Sequence, residues 1–265
     1  MRLLTEKMMT QSLDFKMLTP EIGELCINNP ARRNALTAKM WADLPAKLED
    51  IAKTKGLKAL ILRGQGEHFS AGADISEFEK LYATKESASE VSKKITEGMN
   101  AMAAFPLPTI AIIRGACVGG GCALALCCDI RFADHSAKFC IPPAKLGLCY
   151  PFSDIARLIQ TVGISHAKDM LFSGRIIKGK QARRMRLVNQ LFKEDNLNDK
   201  SMEYAQSLTA VSSQAVRVMK HMSAAFQAGE REDTAQMQKL FADQFVSADF
   251  KKGYSAFLAK RKPEF

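Results

Sequence analysis

The chain has 265 residues, 47% of them hydrophobic and 25% charged, enough apolar material for one sizeable folded core. No apolar run reaches the roughly 18 residues a membrane helix requires, and the opening MRLLTEKMMTQSLDF, charged and without a continuous apolar stretch, is not expected to act as a secretory leader. A formal net charge of +10 fits a polyanionic ligand, nucleic acid or simply a basic, soluble surface, yet no zinc-finger, helix-turn-helix or aromatic-interleaved RNA-binding signature accompanies it, so nucleic acid is not the expected partner.

Residues 13–18 and 22–27 predict two short strands about a turn at Thr19 and Pro20. NNPARRNALT (28–37) is a polar loop carrying Arg32 and Arg33. Thr37 stands where it can cap a helix whose Met40, Leu44, Leu48 and Ile51 fall on one face. LKALIL (57–62) predicts a buried strand, and the glycine-rich RGQGEHFSAGADISEF after it runs from a strand end toward a helix. Val91, Ile95, Met99 and Met102 mark the next helix, which FPLP (105–108) ends. Further on, 130–133 and 138–141 predict brief strands, and Pro142 and Pro143 stop regular structure. KLGLCYPFSDIARLIQTVG then passes through a loop into a helix, with Ser153 as its cap. From 165 onward the pattern is helical apart from a polar break at 193–199, so the last third is expected to lack strands. Alternating strands and helices followed by helices alone predict an α/β core with a helical appendage, used for oligomerisation or as a lid.

The stretch IIRGACVGGGCALALCCDI (112–130) organises the rest. An apolar β-branched run turns through Gly119, Gly120 and Gly121 and continues, over 122–128, as a small-residue segment that reads as a buried helix. Such a strand–turn–helix leaves N–H groups unpaired at the helix start, and glycine lets a ligand oxygen come close to them. The lysine of a phosphate-binding P-loop and the G-x-G-x-x-G context are both missing, so the turn reads as an oxyanion site rather than a phosphate site. Seven cysteines, five between Cys117 and Cys140, include no C-x-x-C pair. They are expected to be reduced core residues in a cytoplasmic protein, with no metal site.

Two glycine turns, each following a strand, can aim two N–H groups at one thioester oxygen as it becomes an enolate or a tetrahedral oxyanion. HFSAGADISEF (68–78) together with RGACVGGGCALALCCDIRFAD (114–134) resembles the crotonase, or enoyl-CoA hydratase/isomerase, superfamily. The resemblance runs from Leu13 to the end, through NNPARRNAL and SAFLAKRKPEF. It implies a crotonase-like spiral of ββα repeats (1–200) and a helical C-terminal segment (201–265) that packs homotrimers, often as dimers of trimers. It also implies that Ala73 and Gly120 supply the oxyanion N–H groups, and that Ala71, Asp74, Ile75 and Gly119 border the bound thioester. Arg32 and Lys260 lie in regions that in relatives meet the phosphates of coenzyme A. Coenzyme A would then enter as part of the substrate, with no separate cofactor.

One departure from the family pattern bears on the reaction. Hydratases of the family carry one glutamate directly after GGGC and a second after the proline of the next loop, an acid/base pair for water and the α-proton. This chain has Ala123 and Pro143 there, and neither can carry a proton. Tyr150, in KLGLCYP, resembles the tyrosine of methylmalonyl-CoA decarboxylase members, whose hydroxyl could hold a departing carboxylate or protonate an enolate. Asp154 either reaches the substrate or caps the following helix. Asp74 and Asp129 are expected to bond turn backbone, and His68 to be an ordinary surface or core residue. Cys122 and Cys149 could border the acyl pocket, with nothing beside them to activate a thiol. The expected function is an acyl-CoA thioester enzyme working through a stabilised enolate. The alternatives are a decarboxylase-like activity using Tyr150 and a non-catalytic CoA-ester binder.

Overall fold

The computed structural model describes residues 11–265, so the expectation for the chain's opening falls largely outside the described residues. Its strands are β1 (Ser12–Met17), β2 (Ile22–Asn28), β3 (Ala59–Gly64), β4 (Thr109–Ile113), β5 (Ala116–Val118), β6 (Ile130–Asp134), β7 (Lys138–Cys140), β8 (Ile177–Lys178) and β9 (Gln190–Phe192). The helices of the first half are α1 (Ala38–Ala52), α2 (Phe78–Leu81), α3 (Lys85–Ala103) and α4 (Gly120–Cys127). Those of the second are α5 (Phe152–Val162), α6 (Ile164–Ser173), α7 (Gly179–Arg184), α8 (Leu197–Thr209), α9 (Ser213–Gln227), α10 (Ala235–Gln244) and α11 (Ala248–Leu258).

Six strands form one sheet in the order β1-β2-β3-β4-β6-β9, antiparallel in the first hairpin and parallel thereafter. The central strands read as almost unbroken apolar runs because both faces are covered. Side chains alternate across the sheet with a period of two. Leu60, Leu62, Ala111 and Ile113 enter the main core with α1, α3 and α4, while Ile61, Ile110 and Ile112 pack with Leu197 and Ala205 of α8 on the other face. Thr37 caps α1 by accepting from the Met40 amide, and Met40, Leu44, Leu48 and Ile51 form its buried stripe.

A second, smaller sheet joins β5, β7 and β8. Each turn of the chain lays one strand in the large sheet, then a short strand in the small one, then a helix: β4, β5, α4, and after them β6, β7, α5. In the earlier turns the small-sheet strand has shrunk to single bridges, Leu36 with Ala73 and Ser70 with Cys117. This is the ββα spiral that the resemblance implies, and it stacks the loops before successive helices beside one another.

Three local expectations are corrected. The last third does contain strands: β8 and β9 close the small and the large sheet, but at two and three residues they are too short to carry an alternation. Ser153 does not cap α5, because Pro151, with φ near the helical value, is the N-cap and starts the helix at Phe152. Pro142 and Pro143 do not end regular structure altogether, since a 3-10 turn runs over Pro143–Leu146.

A boundary at 200 falls within α8, whose Leu197, Ser201 and Ala205 are buried. Beyond it, α9, α10 and α11 contribute only Ala256 to the buried residues, and Phe226, Phe241, Phe245, Val246 and Phe257 stay exposed. Lys220 ties α9 to the sheet, donating to Asp129 at 2.6 Å and to the Leu107 carbonyl at 2.8 Å. No helix among the described residues is long and apolar enough to cross a membrane.

Candidate active site

The first turn of the site follows β3. Asn34, fully buried with φ 58°, donates from Nδ2 to the carbonyls of Gln65 (2.9 Å) and His68 (2.6 Å) and so pins the loop. Ser70 Oγ donates to the Asn34 carbonyl at 2.8 Å and accepts from the Gly72 amide at 3.1 Å. Gly72 sits at φ +95°, and a Cβ there would stand 2.7 Å from the Val118 carbonyl oxygen and 3.0 Å from the Gly120 nitrogen. Leu36 bridges Ala73 in parallel fashion, taking the Gly72 carbonyl and the Asp74 amide. In such a bridge the spanned residue keeps its own N–H on the opposite side. The Ala73 N–H is therefore turned away from Leu36.

The second turn follows β5. Gly119, at φ +53°, donates its amide to Cys140 and hands over to α4, whose first residue is Gly120. A first helical residue has no carbonyl four positions back to bond. Gly121 packs against Ser70 so closely that a Cβ would lie 2.6 Å from the Ser70 carbonyl oxygen, which locks the two turns together. The Ala73 nitrogen lies 3.6 Å from the place a Gly120 Cβ would occupy. Among the described residues, neither the Ala73 nor the Gly120 amide donates to a protein acceptor.

Tyr150 is buried, and its hydroxyl donates to the Gly119 carbonyl at 2.5 Å. The same carbonyl accepts from the Ala123 amide at 3.1 Å. Gly119 C=O and Gly120 N–H belong to one peptide unit, so Tyr150 holds the group that presents the Gly120 donor. Burial pushes its hydroxyl well above the usual phenol range, so it stays protonated.

Both turns open on a cavity of about 600 Å³. Ala71, Ala73, Ile75, Gly119, Gly120, Pro143, Cys149 and Tyr150 all line it. Trp41, Phe78, Ile95 and Met99 make an apolar wall suited to an acyl chain. Other singled-out residues stand elsewhere. Ala123 and Cys122 are buried within α4. Asp74 Oδ1 accepts from the Ser76 amide and hydroxyl and pairs with Arg32 Nη1 at 3.1 Å, a turn-bonding role. Asp129 accepts from the Thr109 amide at 2.7 Å, and His68 Nδ1 from the Ala116 amide at 3.3 Å. Arg32 is half-exposed beside the first turn, and Lys260 is exposed past the end of α11.

Of two further cavity residues that carry chemistry, the sequence patterns assigned nothing to Lys85 and left Asp154 open between the substrate and a helix cap. Lys85, the first residue of α3, brings a cation to the cavity; the signal available was the Thr84–Ser87 capping box that fixes this helix start. Asp154 lines the cavity from the first turn of α5 and caps nothing, its Oδ1 being held by Arg157 Nη1 at 2.9 Å. Its neighbour at i+3 was the readable signal.

A family model described as enoyl-CoA hydratase/isomerase matches residues 19–265. The crystal structure of an enoyl-CoA hydratase/isomerase family protein from Hyphomonas neptunium superposes with a TM-score of 0.93 at 38% identity, covering 97% of this chain and 98% of that one. The 2,3-dehydroadipyl-CoA hydratase of Escherichia coli is 33% identical over 91% of this chain and 93% of its own length. The crotonyl-CoA hydratase of Syntrophomonas wolfei is 32% identical over 92% and 94%.

Proposed function

Because the chain belongs to the enoyl-CoA hydratase/isomerase family and is an enzyme of that family, we propose that it binds an acyl-CoA thioester and stabilises its enolate between the Ala73 and Gly120 amides. The observation that carries this is the pair of N–H groups left without protein acceptors on two interlocked turns. A thioester carbonyl oxygen placed there would accept both bonds, and they would strengthen as negative charge builds on it. Tyr150, by donating to the Gly119 carbonyl, orients and polarises the Gly120 donor. The acyl chain would run along Trp41, Phe78, Ile95 and Met99. Arg32 beside the first turn and Lys85 at the cavity are the cations offered to the phosphates of coenzyme A. The proposal for Lys260 is the same role from its exposed position.

Ala123 and Pro143 stand where the family's two glutamates are expected, so crotonyl-CoA hydration should be slow relative to reactions that need only enolate formation. A decarboxylase-like reaction using Tyr150 would require the hydroxyl to leave the Gly119 carbonyl and turn toward a departing carboxylate. Turnover of a panel of 2-enoyl-, 3-enoyl-, 3-hydroxyacyl- and malonyl-type CoA thioesters tests these readings together. Gly120→Pro, which deletes one donor, should abolish the best activity. Retention of that activity refutes the oxyanion assignment, and tight binding with no turnover of any member identifies a CoA-ester binder instead. For the exposed faces of α9, α10 and α11 the proposed role is a homotrimer contact, read by light scattering on the eluted protein. A reducing, cytoplasmic setting is proposed from six free buried thiols.

A further inference from the structure

We propose that Asp154 is the acid/base of this site, moving a proton at the carbon next to a thioester carbonyl held by Ala73 and Gly120. The inference rests on the acyl-CoA reading above and adds the group that reading lacks. Among the described residues, Asp154 is the one carboxylate lining the cavity that also contains the two unpaired amides. Tyr82 and Tyr150 line it as phenols that burial keeps protonated, and Lys85 is a cation.

The carboxylate is built into place rather than merely present. It projects from the first turn of α5, whose start is fixed by Pro151, and it bonds no backbone amide. Oδ1 is held by Arg157 Nη1 at 2.9 Å, and Arg157 Nη2 is itself fixed on Asn100 Oδ1 of α3 at 2.7 Å. Oδ2 accepts no hydrogen bond from the described residues, so one oxygen anchors the group and the other is available to a ligand. The charged and titratable groups facing it are Arg157 on its own helix, Tyr150 from the preceding loop and Cys127 from α4. Burial raises its carboxyl above the ordinary value, against the opposing pull of Arg157. It is thus a stronger base than a free carboxylate.

The step balances with this one group. Oδ2 takes the proton from Cα, the C–H electron pair becomes the Cα–carbonyl carbon double bond, and the carbonyl pair moves onto the oxygen held by the two amides. Return of the proton from the Asp154 carboxyl to Cα restores the thioester. Its return to Cγ of a 3-enoyl chain gives the 2-enoyl isomer, and no water, oxidant or second carboxylate is consumed.

The test is hydrogen exchange at Cα in deuterated water, using the full-length protein with butyryl-CoA and with a 3-enoyl-CoA, after calorimetry has established that each thioester binds. The wild type should exchange, with a rate that rises with pH through a titration above the ordinary carboxylate range. Asp154→Asn should lose about 100-fold or more of that rate, keep the dissociation constant for butyryl-CoA, and show no such titration in what remains. Asp154→Glu, which restores a carboxylate, should recover part of the rate. D154N combined with R157Q leaves no uncompensated cation, so it must show the same loss if folding of the single variant is compromised. Exchange by either asparagine-bearing variant at the wild-type rate overturns the proposal, as does a wild type that binds both thioesters and exchanges neither. Failure of every thioester to bind the wild type is a different result, since it removes the acyl-CoA reading and the proposal with it.

Discussion

Replacing Gly72 by alanine tests whether the two turns act as one rigid donor pair. The new Cβ would lie 2.7 Å from the Val118 oxygen and 3.0 Å from the Gly120 nitrogen, and both are backbone atoms that cannot rotate aside. Holding an alanine at φ +95° costs about 1–2 kcal/mol, and forcing a methyl into filled space adds about 1–3 kcal/mol. At about 2–4 °C per kcal/mol, a total near 2–5 kcal/mol lowers the melting temperature by about 4–20 °C. Relief can come only by moving the loop that carries Ala73 off the Gly119–Gly120 turn, which splays the two donors. Loss of one such donor costs about 100–1,000-fold in kcat. Gly66→Ala is the matched control: Gly66 has φ +74° but nothing within 4 Å of an added Cβ, so it bears the backbone strain without the collision. Thermal melts and steady-state rates on the best thioester substrate should show both variants destabilised, Gly72→Ala more so, and only Gly72→Ala catalytically impaired. Equal kcat in the two variants would refute the claim that these turns place the donors.

Tyr150→Phe removes one hydrogen bond to the Gly119 carbonyl, worth about 1 kcal/mol, and should lower kcat by about fivefold with KM unchanged in steady-state kinetics. A proton-transfer role would cost far more, about 100-fold or beyond. Ser70→Ala leaves the Asn34 carbonyl and the Gly72 amide without their partner inside the core, a loss of about 1–3 kcal/mol measurable by urea unfolding. Thiol titration near about pH 8 should find one reactive cysteine, Cys149, in the native protein and all seven in denaturant. Burial pushes Cys127 up to about 12 and Cys26 up to about 11, so the reactive thiolate of each is scarce there until unfolding lowers its pKa and raises that fraction.

What the sequence made legible follows from repetition. β2, β3 and β4 are long apolar runs, α1 repeats its buried stripe four times, and the glycine triplet announces the turn into α4. Patterns of that kind record burial averaged over many residues. β8 and β9 offer two and three residues, too few to record anything, yet they complete both sheets. The partners that set the site are equally silent in sequence. Ser70 and Asn34 look like ordinary loop residues until their bonds to the Gly72 turn are seen. Tyr150 is legible as a candidate, but its partner, the Gly119 carbonyl, is a backbone atom 31 positions away.

With Asp154 as the proposed acid/base, the spiral accounts for such a group standing at a new position without loss of the fold. Each turn ends by starting a helix beside the same cavity, so Lys85, Gly120 and Asp154 all reach it from the first turns of α3, α4 and α5. Three helix starts bring their positive dipole ends to one volume, which favours negative charge developing there. On the proposed reading the backbone supplies the enolate site whichever side chains surround it, and the base needs only a position on one of these first turns. With Ala123 inside α4 and Pro143 in the loop, the carboxylate on those turns that lines the cavity among the described residues is Asp154, steadied by an arginine one helical turn further on.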